Sequence, residues 1–533
     1  WFKTFSAQTR QYFAHNMIAL RANQRLLKTG LARGVAVRSV QHVAPNTAGE
    51  EGSALPRSAP TVPGAGIAMR TAVPGPEVTK LTQRLAAHGG MGGATSLFGD
   101  YVASEDSYFV DADGNRMLDM FMQIASLPLG YNHPAMQQAM QDPLMGAFAQ
   151  SRAALGMFPP MELPQLLEET FLKVAPKGLS RVQPMLCGSS ANENVFKAAF
   201  FAYRAKQRKA EGREATDFVP EELESCMMNQ APGCANDLSI LSFSGGFHGR
   251  TLGALTCTHS KHIHKIDVPA FDWPTAPFPR LRYPLEEHSE HNAAEEARCL
   301  EAVEAIFQTR LAEGRPVAGA IIEPILSEGG DLHASANFFK RLQGICREFG
   351  AAFIVDEVQT GVCASGHMWA HEAWGLEESP DFVSFSKKAL IGGYYYKEQF
   401  QPPQGYRVFN TWMGDATKLL LFRAVLQTIE KYGLATLVQE VSKELIRTLE
   451  VAAGQHPDYV SNIRGQGTII AFDAASPAHR DALAAHLRNN GVIVGTNGAQ
   501  SVRFRPALTF GMAHVKEFQQ VFHHTLQRLS VPN

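Results

Sequence analysis

No acidic residue occurs among the first 49 positions of this 533-residue chain, and no apolar run approaches the ~18 residues that a membrane-spanning helix needs. The second absence argues against a transmembrane protein. Cysteine is sparse, with seven residues and no CxxC spacing, so neither a disulfide framework nor a zinc site is expected and a reducing interior is the simplest home. Neither sign of charge prevails: the net charge of -2 leaves no electrostatic footprint for nucleic acid or an anionic membrane. What is present is ordinary for a globular chain, 45% hydrophobic and 19% charged, and is long enough for two or three domains with large cores.

The acid-free start carries Lys3, Arg10, Arg21, Arg25, Lys28, Arg33 and Arg38, with Phe2, Phe5, Tyr12, Phe13, Met17, Ile18 and Leu20 at roughly helical intervals. Such an Arg-rich amphipathic segment resembles a mitochondrial presequence; a retained arm that docks on a partner is the alternative. Residues 44–68 turn to Pro, Gly, Ser and Ala, the composition of a linker. The compact part is expected from residue 73. It opens with a hairpin around Asp113-Gly114, and strand and helix patterns then alternate through about Gln427, the sign of a mostly parallel sheet covered by helices. Helices and short strands follow. The division expected is an extension and linker over 1–72, a segment over 73–135 packing with a small domain, a large α/β domain over 136–430, and a smaller α+β domain over 431–533.

Five apolar strands of the large domain run into residues that carry chemistry. Phe353, Ile354 and Val355 lead to Asp356; Asp381–Phe385 lead to Lys388, with Gly392 and Gly393 beyond. A lysine held at a sheet edge forms imines once desolvation lowers its pKa, and a nearby acid pairs with a pyridinium nitrogen, which suggests pyridoxal phosphate. Taken alone, the pair reads more simply as a helix cap at Asp356 and a solvated loop cation at Lys388, and the residues that follow reverse that reading. Val182–Leu186 lead to Cys187, Gly188, Ser189 and Ser190 and a helix from about Asn192, either a phosphate cradle or a plain tight connection. Ser239–Phe243 lead to Phe247 and Arg250, a stacking ring and a carboxylate fork, or else a core aromatic and a surface cation. Ala318–Ile322 lead to Glu323 and Glu328. Ligands of open α/β sheets bind at the edge where such strands end.

The stretches ALGMFPP (154–160), CGSSANENVFK (187–197), GGFHGRTLG (245–253), IIEPILSEGGD (321–331), VDEVQTG (355–361), FSKK (385–388), FNTWMGD (409–415) and SVRFRP (501–506) resemble the class III, fold-type I aminotransferases, and within them the 4-aminobutyrate-specific branch of eukaryotic mitochondria. The resemblance covers roughly residues 73–529. It implies that Lys388, rather than Lys387, bonds to the cofactor aldehyde, that Asp356 holds the ring nitrogen protonated, and that Gln359 contacts the ring's phenolic oxygen. It implies Gly188 and Ser189 at the phosphate, Thr411 reaching there from a second subunit of a homodimer, and Phe247 stacked on the ring. Arg250 is implied at the γ-carboxylate of 4-aminobutyrate, Arg503 at the α-carboxylate of glutamate or 2-oxoglutarate, and Glu328 as the acid that neutralises Arg503, with Glu323 supporting the region. Animal relatives carry a second cysteine where Ser190 stands, associated with an iron–sulfur cluster; with Ser190 there, no cluster is expected.

The function so implied is transfer of nitrogen from 4-aminobutyrate to 2-oxoglutarate in the mitochondrial matrix. Two alternatives stay open: another ω-aminotransferase, acting on ornithine or β-alanine, or an aminotransferase-fold accessory subunit of a mitochondrial complex, held there by the N-terminal arm.

Overall fold

The computed structural model describes residues 66–89 and 97–530, so both readings of the basic arm fall on residues outside those described. The first pair of strands is β1 (Tyr108–Val110) and β2 (Arg116–Asp119), antiparallel with Val110 opposite Arg116. Their connection folds on Asp111, whose Oδ1 accepts from the amides of Asp113 and Asn115, and on Gly114 at φ 79°.

The seven strands β3 (Arg181–Met185), β4 (Ser239–Phe243), β5 (Thr275–Ala276), β6 (Val317–Ile322), β7 (Ala352–Asp356), β8 (Phe382–Phe385) and β9 (Gly392–Tyr396) form one sheet in the order β3-β9-β8-β7-β6-β4-β5. Neighbours from β8 to β5 are parallel, while β9 runs antiparallel to both β8 and β3. One reversed strand between two that agree leaves β3, β4, β6, β7 and β8 all ending at the same edge. Every residue of β6, β7 and β8 is buried, the mark of a sheet covered on both faces. The helices Gly188–Ala210, Ser289–Ala312 and Ala336–Glu348 supply the cover, burying Val195, Val303 and Phe338 among others in the larger core.

A second core lies around the antiparallel sheet of β10 (Ser461–Gln466), β11 (Ile469–Asp473), β13 (Gly495–Asn497) and β14 (Ser501–Phe504), ordered β10-β11-β14-β13. Phe472, Phe504, Phe518 and Phe522 fill it. The intervening β12 (Val492–Ile493) instead pairs in parallel with β2, Val492 opposite Leu118, tying the N-terminal hairpin to the C-terminal part of the chain. The helix Leu434–Gln455 joins the two cores, with Leu434 and Val438 in the larger and Leu445 and Leu449 in the smaller.

Two boundaries differ from expectation. The packed chain starts before residue 73, because the Ile67 amide donates to Glu517 Oε1 at 2.6 Å and Ala68 bridges Arg116. The helix expected near Asn192 begins at Gly188, because Ser190 Oγ accepts from the Cys187 amide at 3.0 Å and donates to its carbonyl at 2.9 Å, closing the first turn four residues early. Among the described residues no helix is long and apolar enough to cross a membrane.

Candidate active site

Asp356 closes β7 and is 4% exposed. Three segments grip its carboxylate: Asn192 Nδ2 donates to Oδ2 at 2.8 Å, His248 Nδ1 lies 2.9 Å from the same oxygen, and the Val358 amide donates to Oδ1 at 3.0 Å. Asn192 Nδ2 also donates to the His248 carbonyl at 2.9 Å, so the side chains that orient the acid also orient each other. Oδ1 retains a lone pair for a further donor.

One strand over, β8 delivers Lys388 to a short turn at the same edge, 1% exposed. Its Nζ donates to the Ala125 carbonyl at 3.0 Å, and Lys387 Nζ donates to the Ile124 carbonyl at 2.9 Å. Both acceptors belong to Met122–Ala125, four consecutive residues with φ between 45° and 64°. That left-handed turn is unfavourable for residues with a Cβ and is held by Asp119, whose Oδ1 accepts from the Phe121 and Met122 amides at 2.8 Å. Burial, then Arg505 and Lys387, lower the Lys388 amine from 10.5 to about 7; burial and Arg503 bring Lys387 to about 8. Arg505, fully buried, donates from Nε to Gln359 Oε1 at 2.7 Å and from Nη2 to Asp331 Oδ1 at 2.6 Å, which fixes the Gln359 side chain.

The acid-bearing loop after β6 meets the small sheet. Glu323 is buried and accepts from the Phe247 amide at 2.8 Å and the Ser327 amide at 3.2 Å; burial, with Asp356 adding, pushes its carboxyl well above the usual range. Glu328 Oε1 accepts from Arg503 Nη2 at 2.7 Å, and although burial acts against it, Arg503 and Lys261 hold its carboxyl below the ordinary value. Arg503 is 4% exposed, lies 5.1 Å over the Phe121 ring, and leaves Nε and Nη1 buried without a partner among the described residues. Arg250 is exposed, its Nη2 3.3 Å from His264 Nε2 and its guanidinium 5.7 Å from the Phe247 ring centre.

Gly188 and Ser189 open a 23-residue helix whose first-turn amides have no partner within the helix. Ser189 Oγ accepts from the Arg250 amide at 3.4 Å, and a Cβ on Gly249 would come within 2.3 Å of it, so only glycine lets the two loops meet. Thr411 is exposed on the stretch before the helix Ala416–Tyr432. Thus the structure brings Asp356, Lys388, Gln359, Glu323, Phe247 and Gly188–Ser189 to one edge and pairs Arg503 with Glu328. Thr411 is not linked to them by a hydrogen bond within the single chain. Asn192, His248 and Arg505 went unassigned by sequence reasoning, although each stands inside a quoted motif. Among the described residues no cluster of His, Cys, Asp and Glu is arranged to hold a metal ion.

The donor set fits pyridoxal phosphate. A buried amine near neutrality faces an aldehyde's requirement for free base, a fixed carboxylate with an open lone pair suits a ring nitrogen, and a long helix's N-terminus with a serine suits a dianionic phosphate.

Residues 92–526 match the family Aminotransferase class-III. The chain is 48% identical over 454 residues to the mitochondrial 4-aminobutyrate aminotransferase of Mus musculus, covering 85% of this chain and 89% of that protein. It is 47% identical over 458 residues to the human mitochondrial enzyme of the same name (86% and 90%) and 44% identical over 468 residues to 4-aminobutyrate aminotransferase of Dictyostelium discoideum (86% and 91%). Among solved structures, lysine aminotransferase from M. tuberculosis superposes with a TM-score of 0.74 at 29% identity, covering 84% of this chain and 99% of that one.

Proposed function

The chain belongs to the class-III aminotransferase family, and on that premise we propose that it moves the amino group of 4-aminobutyrate to 2-oxoglutarate, giving succinate semialdehyde and glutamate with pyridoxal phosphate as cofactor. The observation that carries this reading is the pairing of buried Arg503 with Glu328, together with an Arg250 that has no carboxylate partner among the described residues. A γ-amino acid brings one carboxylate remote from its amine, which Arg250 takes; Glu328 meanwhile neutralises the second arginine. With 2-oxoglutarate, the second carboxylate takes the place of Glu328 on Arg503.

Pyridoxal phosphate supplies an aldehyde for the amine and a ring that accepts the electrons of the broken C–H bond. The chain's residues do the rest. Lys388, with its amine near 7, is substantially free base at neutral pH and moves the proton off the substrate carbon. Asp356, oriented by Asn192 and His248, holds a proton on the ring nitrogen, and Gly188 and Ser189 anchor the phosphate. Gln359, Phe247 and Glu323 hold the ring's surroundings in place. The same reading keeps the domain division given above except that the N-terminal packed segment takes in Ile67 and Ala68, and takes the enzyme as a homodimer in the mitochondrial matrix, with Thr411 completing the partner's phosphate site and no iron–sulfur cluster. Relatives named as mitochondrial and the acid-free basic N-terminus support the location.

Comparing rapid-mixing half-reactions tests the substrate. Faster conversion of the bound cofactor by 4-aminobutyrate than by ornithine, β-alanine or lysine is expected. Ornithine or lysine reacting faster would reject the assignment.

A further inference from the structure

On the outer side of the helix Gly188–Ala210, between it and the stretches around Phe218 and Trp273, lies a cavity of about 770 Å³ lined by none of the residues placed at the active site above. That volume lies within the range of small-molecule sites, about 300 to 1,000 Å³. Its wall is aromatic: Phe196, Phe200, Phe218 and Trp273 line it, and Phe271 is stacked on Trp273 with ring centres 4.8 Å apart.

Five cations reach this cavity, and three are neutralised. Arg204 pairs with Asp237, Arg208 with Glu222 at 3.2 Å, and Arg315 with Asp272. Lys197 and Arg407 have no carboxylate within salt-bridge distance among the described residues. Lys197 Nζ has only Asn194 Oδ1 at 3.4 Å, and the Arg407 guanidinium lies 3.7 Å over the Phe201 ring. Both are half-buried, and burial lowers the pKa of each, Lys197 further through the charge of Arg407 and Arg407 further through that of Arg208. Glu193 is the acid whose charge acts on Lys197 in the opposite sense, and its Oε1 accepts from Thr251 Oγ1 and the Ala254 amide. Two half-buried cations on one aromatic-walled cavity, neither in a salt bridge among the described residues, favour an anion that reaches both.

We propose that this cavity binds a small aromatic carboxylate, the carboxylate taken by Lys197 and Arg407 and the ring laid against the aromatic wall. Charge-assisted hydrogen bonds on one side and ring contacts on the other demand both features of the ligand. A flat neutral molecule leaves the cations bare, and a non-aromatic acid leaves the wall unfilled. The site also touches the catalytic region: Glu193 lines the cavity and holds Thr251 and Ala254, directly after Arg250.

The test uses the cofactor-loaded, full-length protein and naphthalene-2-carboxylate as a fluorescent probe, titrated with the active site saturated by 2-oxoglutarate. Saturable binding is expected, at least tenfold weaker for naphthalene-2-carboxamide and for cyclohexanecarboxylate, and at least tenfold weaker in Arg407→Gln and in Lys197→Gln. Circular dichroism checks that each variant is folded, and either one suffices if the other is not. Loss of binding when 2-oxoglutarate is present, equal affinity for the carboxamide, or unchanged affinity in a folded variant would overturn the proposal.

Discussion

Asp356 and Arg503 are equally buried, each 4% exposed, yet their surroundings differ. Three donors from three segments hold Asp356, whereas among the described residues Arg503 has Glu328 alone and keeps Nε and Nη1 bare. A buried carboxylate with its donors supplied by the protein is a fixed part. A buried guanidinium with unpartnered nitrogens is a reserve of hydrogen-bonding capacity that a ligand carboxylate can use. The contrast follows the fold: Asp356 ends a strand inside the parallel sheet, while Arg503 sits on β14 of the smaller sheet and meets an acid from the larger.

Changes on the fixed side are expected to act on both half-reactions, and changes on the reserve side on only one. The largest effect belongs to Lys388→Ala, which removes both the amine and the proton carrier; single-turnover rates with 4-aminobutyrate should fall by about 10⁴-fold while the far-ultraviolet circular dichroism stays native. Next comes Asp356→Asn, with both half-reactions slowed by about 10²- to 10³-fold, measured by rapid mixing. Equal losses in the two would sharpen the contrast, and a loss confined to one would break it. Arg503→Gln should weaken 2-oxoglutarate by about tenfold to a hundredfold in KM and leave the 4-aminobutyrate half-reaction within about threefold.

Smallest is a pH effect on the cofactor-free protein. The Lys388 amine titrates at about 7 when folded against 10.5 when unfolded, so between those values the unfolded chain binds the extra proton. Stability gained from this group therefore rises with pH across that window, and the penalty of burying the ammonium is fully present below about 7. Thermal unfolding of Lys388→Met should show a flatter rise from pH 7 to 10 than the parent. An identical slope would mean that Lys388 is not the buried amine inferred.

The parallel sheet was legible because its strands are short apolar runs that end abruptly in polar residues: β4 lies at Ser239–Phe243 as read, and β6, β7 and β8 within a residue. The edge that gathers the candidate residues followed, since residues just past such strands converge wherever the strands are parallel. Other parts depend on tertiary contacts that leave little local trace. Nothing in Met-Gln-Ile-Ala signals four left-handed residues, because the turn is held by Asp119 and used by lysines 263 positions away. Asn192 and His248 lie within visible motifs, but their service to Asp356 joins positions 164 and 108 residues apart. The early start of the helix at Gly188 was hidden for a local reason: Ser190 bonds back to Cys187 and nucleates the turn before the apolar pattern begins.

Trapping the cofactor on its lysine tests the site most directly. Pyridoxal phosphate is added to the purified protein, borohydride reduces the imine, and the digested peptides are sequenced by mass spectrometry. One modified peptide is expected, with the added mass on Lys388. Modification of Lys387 instead, or no stable modification of either, would contradict it.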